Sequence, residues 1–433
     1  MSELLVHNAR VVLPNEIVHG GIVALHGRIA EVFAEANRPT GFGSEECIDA
    51  GERCLAPGFI DIHIHGSAGI DVQDTDEDGL SRLSQFLLGK GVTGYFPTFV
   101  PADSGSLGAA LETINSYVEN SAEAQKAGAP WKRAVPGAGE SWKHAVPGAS
   151  ARILGVHFEG PFVSKKRCGA LHTEHFRTYD GDPRSVDLFA GKTGGVAETL
   201  TGAGRLMTIA PEVEGSLALI RELTSRGVRC FIGHSTADPQ ILDRAVEAGA
   251  RHMTHFPNAL EPLHHRKPGA VAWGLVRQDI TMDCIADFEH IDRLMLLLMY
   301  QAKGPARMSL ISDAIKPAGL GDGVYDVWGD RICVTAGRTS LARDEAIPIE
   351  QRTIAGSVIT MDQCVKNMTS LGVPLHEAVS MATLGPARAA GIEAEYGSIE
   401  VGKQADLILF EEDLATIGPA LVAGPGLIFG QGY

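Results

Sequence analysis

Short apolar runs that end in a polar residue recur along the central part of the chain. Eight such runs occupy residues 59–65, 93–100, 152–160, 205–212, 229–235, 251–256, 281–287 and 307–314. Between them, segments such as SLALIRELTSRG and PQILDRAVEAGA carry apolar residues at intervals of three and four, the spacing of an amphipathic helix. Alternating strands and helices with short loops predict a parallel α/β sheet, and eight strands favour a closed (β/α)8 barrel.

The two ends of the chain have a different pattern. LLVHNARVVL and GGIVALHGRIAEVF near the start, and ADLILF near the end, are typical of strands separated by turn residues. We therefore predict that residues 1–55 and 388–433 together form one small β domain. Residues 56–387 then form the barrel.

One stretch interrupts the alternation, because WKRAVPGA (131–138) recurs as WKHAVPGA (142–149). Two copies do not make a solenoid. We interpret residues 120–150 as a Pro/Gly-rich surface insertion. The alternative is a lid or a subunit contact that uses Trp131 and Trp142.

Charge and cysteine usage narrow the class of protein. A formal net charge of −16 argues against non-specific binding to nucleic acid or to an anionic membrane surface. The longest apolar block, Leu294 to Tyr300, is too short to span a bilayer. Seven scattered cysteines and a start that lacks a signal-peptide pattern predict reduced thiols and a cytoplasmic location.

His63 and His65 stand two positions apart on the first predicted barrel strand, so both side chains point to the same face. In a barrel that face is the interior, and the carboxyl end of the strand is the catalytic rim. Two imidazoles converging there form half of a metal site. The alternative is two polar residues at a strand end, and for this pair alone the two interpretations are about equally good.

Three later strands deliver further ligand types to the same rim. Glu159, His234 and His255 each end a strand, and together they supply the two nitrogens and one oxygen of an open catalytic zinc-type site. His157, on the same strand face as Glu159, is either a partner of the ligands or, as we prefer, a packed core histidine. His252 is three residues before His255 and is interpreted as structural.

Asp313 ends the eighth predicted strand. A carboxylate beside a metal-activated water can accept its proton and later protonate a leaving amine. The alternative is a helix N-cap before AIKPAGL. Its position at a late strand end favours catalysis.

The segment FPNALEPLHHRKPGA (256–270) contains groups that bind anions. Asn258 and Ala259 offer an amide and backbone N–H groups, and Arg266 can bind phosphate or carboxylate with two hydrogen bonds. His290 is a further cationic candidate. These residues predict a small anionic substrate.

These motifs occur in a recognisable order: PGFIDIHIHG, GVHFEGPF, TIAPE, GHSTA, THFPNAL, LISDA and GSIEVGKQADLILF. The order resembles the N-acetylglucosamine-6-phosphate deacetylase family of the amidohydrolase superfamily. The resemblance covers nearly the whole chain apart from 120–150 and roughly 177–200. It implies a TIM barrel with a β-sandwich built from both termini, and hydrolysis of the acetamide of an N-acetyl amino-sugar 6-phosphate.

The resemblance also implies roles for particular residues. Glu159, His234 and His255 would be the main metal ligands, with His63 and His65 completing a second site in members that hold two metals. Asp313 would be the general base and acid, and a homodimer would share its phosphate pocket across the interface. The sugar phosphate would contact Asn258, Ala259, Arg266 and His290.

Three motifs depart from the family pattern. GALHTEHF places Leu171 where the family usually has a histidine, and His172 is the candidate replacement that polarises the acetyl carbonyl. IADF places Phe288 beside His290, and THFPNAL introduces Pro257. The departures spare the candidate metal ligands.

The sequence therefore predicts a metal-dependent deacetylase of N-acetylglucosamine 6-phosphate. One or two divalent ions per subunit are expected, with zinc preferred and iron, manganese or cobalt as alternatives. The alternatives for the activity are another N-acyl sugar or a cyclic amide as substrate, or a non-catalytic relative that acts as a binding protein.

Overall fold

A computed structural model describes residues 3–43, 47–126, 150–190, 204–344, 346–348, 351–411, 414 and 417–421. The tandem repeat at 131–149, and with it most of the predicted insertion, lies outside the described residues. Among the helices of the described ranges, none is long and apolar enough to cross a membrane.

The N-terminal strands form a sheet in which the first strand pairs with three of the others. They are β1 (Glu3–Val12), β2 (Ile17–Leu25), β3 (Arg28–Ala34), β4 (Cys47–Asp49) and β5 (Cys54–Pro57). β1 pairs antiparallel with β2 and parallel with β4 and β5. Side chains alternate between the faces of β1, so Leu4 and Val6 pack in one apolar cluster and Leu5 in another.

The next eleven strands include the eight of the barrel. They are β6 (Phe59–Ile64), β7 (Gly66–Ser67), β8 (Ile70–Asp71), β9 (Val92–Phe99), β10 (Arg152–Ile153), β11 (Gly155–Glu159), β12 (Gly204–Ile209), β13 (Val228–Ile232), β14 (His252–Met253), β15 (Thr281–Ile285) and β16 (Met308–Ile311). Eight of them run parallel in the order β6-β9-β11-β12-β13-β14-β15-β16. The first and last meet where the Asp313 N–H donates to the His63 carbonyl at 2.9 Å.

Helices follow the strands as the periodicity predicts. Those up to the last barrel strand are α1 (Glu77–Leu88), α2 (Ser104–Lys126), α3 (Asp187–Ala190), α4 (Ser216–Ser225), α5 (Pro239–Ala248), α6 (Gly269–Val276) and α7 (Arg293–Lys303). Helix α5 begins after Asp238, whose carboxylate accepts a hydrogen bond from the Ile241 N–H, and ends before Gly249. Its buried side, which includes Leu242 and Val246, faces the barrel core.

A three-stranded antiparallel sheet follows the last barrel strand, formed by β17 (Gly323–Val327), β18 (Asp330–Thr335) and β19 (Arg338–Leu341). Helices α8 (Met361–Ser370), α9 (Leu375–Ala382) and α10 (Leu384–Ala390) come next. The chain then returns to the first sheet with β20 (Leu407–Phe410) and β21 (Ile417–Leu421), and β20 pairs antiparallel with β5.

The architecture confirms the fold predicted from the sequence. All eight predicted runs contribute a barrel strand, and one seven-stranded sheet unites both ends of the chain. One apolar cluster fills the barrel and the layer between its strands and helices. The exact domain limits, 1–55 with 388–433 and 56–387, stay a prediction.

Candidate metal centre

Three side chains from separate strands meet at the carboxyl end of the barrel. Glu159 is the last residue of β11, His234 follows β13 and His255 follows β14. Glu159 Oε1 lies 2.9 Å from Nε2 of each histidine, and the two Nε2 atoms are 3.0 Å apart. All three residues are buried. Strand ends that are far apart in sequence thus bring one oxygen and two nitrogens close together.

A second cluster lies beside the first. His63 lies on β6 and His65 directly follows it, and their Nε2 atoms are 3.2 Å apart. Oδ1 of Asp313 is 3.3 Å from Nε2 of His63 and 3.2 Å from Nε2 of His65. These three residues are also buried and within reach of a common ion.

Glu159 connects the two clusters through its two carboxylate oxygens. Oε1 faces His234 and His255 and is 3.6 Å from Nε2 of His63, whereas Oε2 is 3.4 Å from Nε2 of His65. One carboxylate therefore has an oxygen for each side, the arrangement that would let it bridge two cations.

Three of these residues have a positive φ angle, a backbone conformation that residues other than glycine seldom adopt. The φ angles of His234, His255 and Asp313 are +47°, +33° and +50°. Such strained residues persist where their surroundings fix them, and they concentrate at functional sites. Here the His255 N–H donates to the carboxylate of Asp283, and the His234 carbonyl accepts from the Ser164 N–H at 2.9 Å.

Backbone carbonyls fix the tautomers of two of the imidazoles. Nδ1 of His65 lies 3.0 Å from the Thr98 carbonyl oxygen, and Nδ1 of His234 lies 2.6 Å from that of Arg167. A carbonyl can only accept, so each Nδ1 carries the hydrogen when its ring is neutral, and each Nε2 directs a lone pair inward. Histidines that bind metal through one ring nitrogen commonly donate a hydrogen bond of this kind from the other.

Opposite charges stabilise one another inside the centre. Burial opposes ionisation of Glu159, but His63, His234 and His255 outweigh it and hold the pKa of that carboxyl well below its usual range. The pKa of Asp313 is lowered in the same way, against burial, by His63 and His65. Both carboxyl groups are therefore ionised at neutral pH.

The donor set fits a divalent cation. Four imidazole nitrogens and two carboxylates converge in a buried space, and the ligand atoms within each cluster lie within 4.8 Å of one another. Nitrogen and oxygen donors of this kind suit zinc, iron, manganese or cobalt. Four imidazoles directed at one another are costly to assemble unless a positive charge lies between their lone pairs.

The rings of two neighbouring histidines are hydrogen-bonded to other protein groups. His157 is fully buried, with Nδ1 2.9 Å from the Ile62 carbonyl oxygen and Nε2 2.8 Å from the Thr208 hydroxyl. His252 contacts the Asp283 carboxylate at 3.0 Å. Both have the surroundings of the packed, structural histidines that the sequence suggested.

Asn258 and Ala259 lie in the turn that follows His255. The Asn258 N–H donates to the His255 carbonyl at 2.7 Å, and the side-chain amide donates to the same oxygen at 3.0 Å. Ala259 has a φ of +54°, and its carbonyl accepts from the Ser235 N–H. The turn is thus connected to the two strand ends that carry His234 and His255.

His290 and Arg266 have contrasting surroundings. The His290 ring is 7% exposed and its Nδ1 lies 2.6 Å from the Asp287 carboxylate, which orients it. Arg266 is in the exposed segment 262–268, where its guanidinium lies 2.8 Å from Nε2 of His265. The structure therefore keeps Arg266 at the surface and outside the two clusters.

His172 also lies outside the two clusters. Its Nε2 is 3.0 Å from the Asp330 carboxylate and its Nδ1 is 3.4 Å from that of Glu174. Its side chain is one-third exposed. The neighbouring Leu171, which stands where the family usually has a histidine, is buried.

Several residues that support the site were not singled out from the sequence. Asp61, two positions before His63 on the same strand face, accepts hydrogen bonds from Ser312, and burial raises its pKa to about 6. Glu212 accepts from the Ser235 hydroxyl at 2.7 Å, behind His234. The alternation of β6 could have revealed Asp61, whereas Glu212 depends on a tertiary contact.

Trp328 is a further residue that sequence reasoning missed. Its ring packs edge-on against His65 with centroids 4.9 Å apart, although it comes from the turn between β17 and β18. A local pattern in the sequence gives no indication of this contact.

Comparison with known proteins places this geometry in context. The amidohydrolase family matches residues 54–425. N-acetylglucosamine-6-phosphate deacetylase from Bacillus subtilis (strain 168) is 32% identical over 421 residues, covering 96% of this chain and 95% of that protein. N-acetylgalactosamine-6-phosphate deacetylase from Escherichia coli O157:H7 is 33% identical over 362 residues, covering 83% and 84%.

A solved structure is similar over the same extent. A mutant of N-acetyl-D-glucosamine-6-phosphate deacetylase from Mycobacterium smegmatis, in complex with N-acetyl-D-glucosamine-6-phosphate, superposes with a TM-score of 0.78 and 28% identity, covering 98% of this chain and 99% of that one. Members of this family depend on metal ions, in keeping with the two His/carboxylate clusters. The chain belongs to the amidohydrolase family.

Proposed function

We propose that this protein hydrolyses the acetamide of N-acetylglucosamine 6-phosphate, giving glucosamine 6-phosphate and acetate. The observation that carries the proposal is the convergence of Glu159, His234 and His255 with His63, His65 and Asp313 at one mouth of the barrel. The names of the relatives in Bacillus subtilis and Mycobacterium smegmatis support this substrate.

The proposal assigns the six buried side chains to metal binding and proton transfer. Glu159, His234 and His255 would hold one cation, and His63 and His65 a second, with zinc as the preferred metal. When bound, the cation supplies Lewis-acid polarisation of the amide carbonyl and of a water molecule.

Asp313 performs the proton transfers in the proposed reaction. As a carboxylate, it accepts the proton of the attacking water while the water oxygen bonds to the acyl carbon. It then donates that proton to the amide nitrogen as the carbon–nitrogen bond breaks, which releases the amine and leaves acetic acid, whose remaining proton passes to solvent to give acetate. The pKa of Asp313, which His63 and His65 lower against the effect of burial, supports its starting role as a base.

The anionic end of the substrate is assigned to the loops after β14 and β15. Asn258 and Ala259 bind it through amide groups, and His290 and Arg266 provide positive charge. His172 is proposed to polarise the acyl carbonyl, which requires it to leave or share its contact with Asp330.

We further propose a cytoplasmic homodimer. Val276, Leu294 and Leu298 are large apolar side chains exposed on α6 and α7, and α6 follows the segment that carries Arg266. A second copy packed there would cover them and bring its own Arg266 segment towards the neighbouring site. Scattered cysteines without paired spacing support the cytoplasmic location.

A direct assay tests the activity. Acetate release would be measured from N-acetylglucosamine and N-acetylgalactosamine, each with and without a 6-phosphate, using protein loaded with zinc. The proposal expects the highest kcat/KM for N-acetylglucosamine 6-phosphate. Equal rates on the unphosphorylated sugars would contradict the phosphate requirement, and a lack of acetate from all four would contradict the function.

A further inference from the structure

A cleft of about 490 Å³ is lined by Trp328, whose ring packs against His65 of the second cluster. It lies between the loops that follow β6, β9, β11 and β16, which are neighbours in the barrel. The residues that matter here are Val100, Leu171 and Trp328 on its apolar side, and Asp71, His172 and Lys316 on its polar side. We call this space the acyl cleft.

Trp328 joins the acyl cleft to the second cluster. Its ring packs edge-on against His65 with an interplanar angle of 79°, and it lines the cleft together with Asp71. The φ angle of Trp328 is +53°, a strained value for a large aromatic residue that must be held by its neighbours. The fold therefore maintains this indole beside His65 at an energetic cost.

The apolar side of the cleft is continuous with a small buried cluster. Val100, Val163 and Leu171 form that cluster, and Phe176 and Trp328 pack against it. Val100 and Leu171 are each only 7% exposed, although both line the cleft. A group that enters this side meets hydrocarbon and an indole face.

The loop that carries Leu171 also passes directly beside the first cluster. A Cβ atom added to Gly169 would lie 3.6 Å from Cε1 of His234. The acyl cleft is thus adjacent to His65 through Trp328 and to His234 through the loop of Gly169 and Leu171. The cleft therefore lies on the side of the clusters where β16, β6, β9 and β11 end.

The residues assigned to the anionic end lie on the other side. Asn258 and His290 follow β14 and β15, whereas the cleft is formed by the loops after β16, β6, β9 and β11. The acyl carbon of an amide carries the nitrogen on one side and the acyl chain on the other. A substrate bound with its sugar phosphate towards Asn258 and His290 would direct its acyl chain towards the cleft.

We propose that the acyl cleft receives the acyl group of the substrate and that Leu171 and Trp328 adapt it to uncharged N-acyl chains longer than acetyl. This inference depends on the proposed function, because it needs an N-acyl amino-sugar phosphate in the site. A methyl group leaves most of the cleft unfilled, and each further buried methylene increases transition-state binding about fourfold.

The test compares N-acetyl, N-propanoyl and N-butanoyl glucosamine 6-phosphate as substrates of the zinc-loaded full chain. We expect kcat/KM for the propanoyl and butanoyl compounds to equal or exceed that for acetyl, by up to about fourfold per methylene. A butanoyl value tenfold or more below acetyl overturns the inference and leaves the deacetylase function intact. Absence of hydrolysis of all three overturns both.

Two variants tie the preference to the cleft. Leu171→Gln makes its wall polar, and Ala170→Leu, at a half-buried lining position, narrows it. Both are expected to lower the butanoyl-to-acetyl ratio of kcat/KM at least threefold, while Val324→Gln, on the exposed face of the nearby sheet, leaves the ratio unchanged. An unchanged ratio in a folded, metal-loaded Ala170→Leu protein would contradict the assignment even if Leu171→Gln fails to fold.

Discussion

The two parts of the site are built in opposite ways. The six residues of the metal-binding clusters lie on or directly after barrel strands and are almost fully buried. Arg266, by contrast, lies in the exposed segment 262–268. The difference teaches that the reaction centre is fixed by the barrel itself, whereas recognition of the anionic end depends on loops and, as proposed, on a second subunit.

Replacement of Glu159 by glutamine should have the largest effect, because this carboxylate faces both clusters. We expect loss of bound metal and a fall in kcat of about 10⁴-fold, since Lewis-acid catalysis contributes several kcal/mol. Metal content by mass spectrometry and acetate release measure the two effects. Glu214→Gln, at an exposed position, serves as the control. A Glu159 variant that retains both metal and turnover would contradict the role given to the two clusters at the barrel strand ends.

Asp313→Asn separates proton transfer from metal binding within the same buried part. The first cluster keeps its three ligands, so metal should remain, while kcat falls about 10³-fold through loss of the general base. Near-normal turnover in the metal-loaded variant would show that another group accepts the proton.

Arg266→Ala tests whether the exposed segment 262–268 recognises the anionic end of the substrate. If Arg266 binds the phosphate, its removal should raise KM for the phosphorylated substrate about thirtyfold with little change in kcat. The unphosphorylated sugar should be unaffected, and Arg184→Ala provides an exposed arginine control. An unchanged KM would separate Arg266 from substrate recognition.

Glu212→Gln should have the smallest effect, and it tests whether the hydrogen bonds of Glu212 support the metal ligand His234. Glu212 accepts hydrogen bonds from Ser235 and Thr236, directly after His234. Its loss should weaken metal affinity about tenfold and leave kcat at saturating metal nearly unchanged. Titration with a competing chelator measures the affinity, and unchanged affinity would show that His234 needs no such support.

The same contrast explains what the sequence could predict. Strand ends of a parallel barrel converge at one mouth, so alternation and strand position alone placed His63, His65, Glu159 and Asp313 near one another. The structure brings these side chains together, and their individual roles stay predictions. Asp61 obeys the same alternation and could have been included.

Other contacts could not be predicted from local pattern. Trp328 reaches His65 from a turn in a separate sheet, and Glu212 reaches Ser235 across two strand ends. His172 could be named from its position beside Leu171, but its contact with Asp330 depends on how two loops pack. Such contacts follow from tertiary structure, which residue spacing does not encode.

The central claim is that the buried side chains at the barrel mouth hold a divalent cation. Anomalous diffraction from crystals of the zinc-loaded protein, measured at the zinc absorption edge, tests it most directly. The account predicts a peak about 2.0–2.2 Å from a carboxylate oxygen of Glu159 and from Nε2 of His234 and His255. A peak elsewhere, or none at this position in protein that contains stoichiometric zinc, would contradict it.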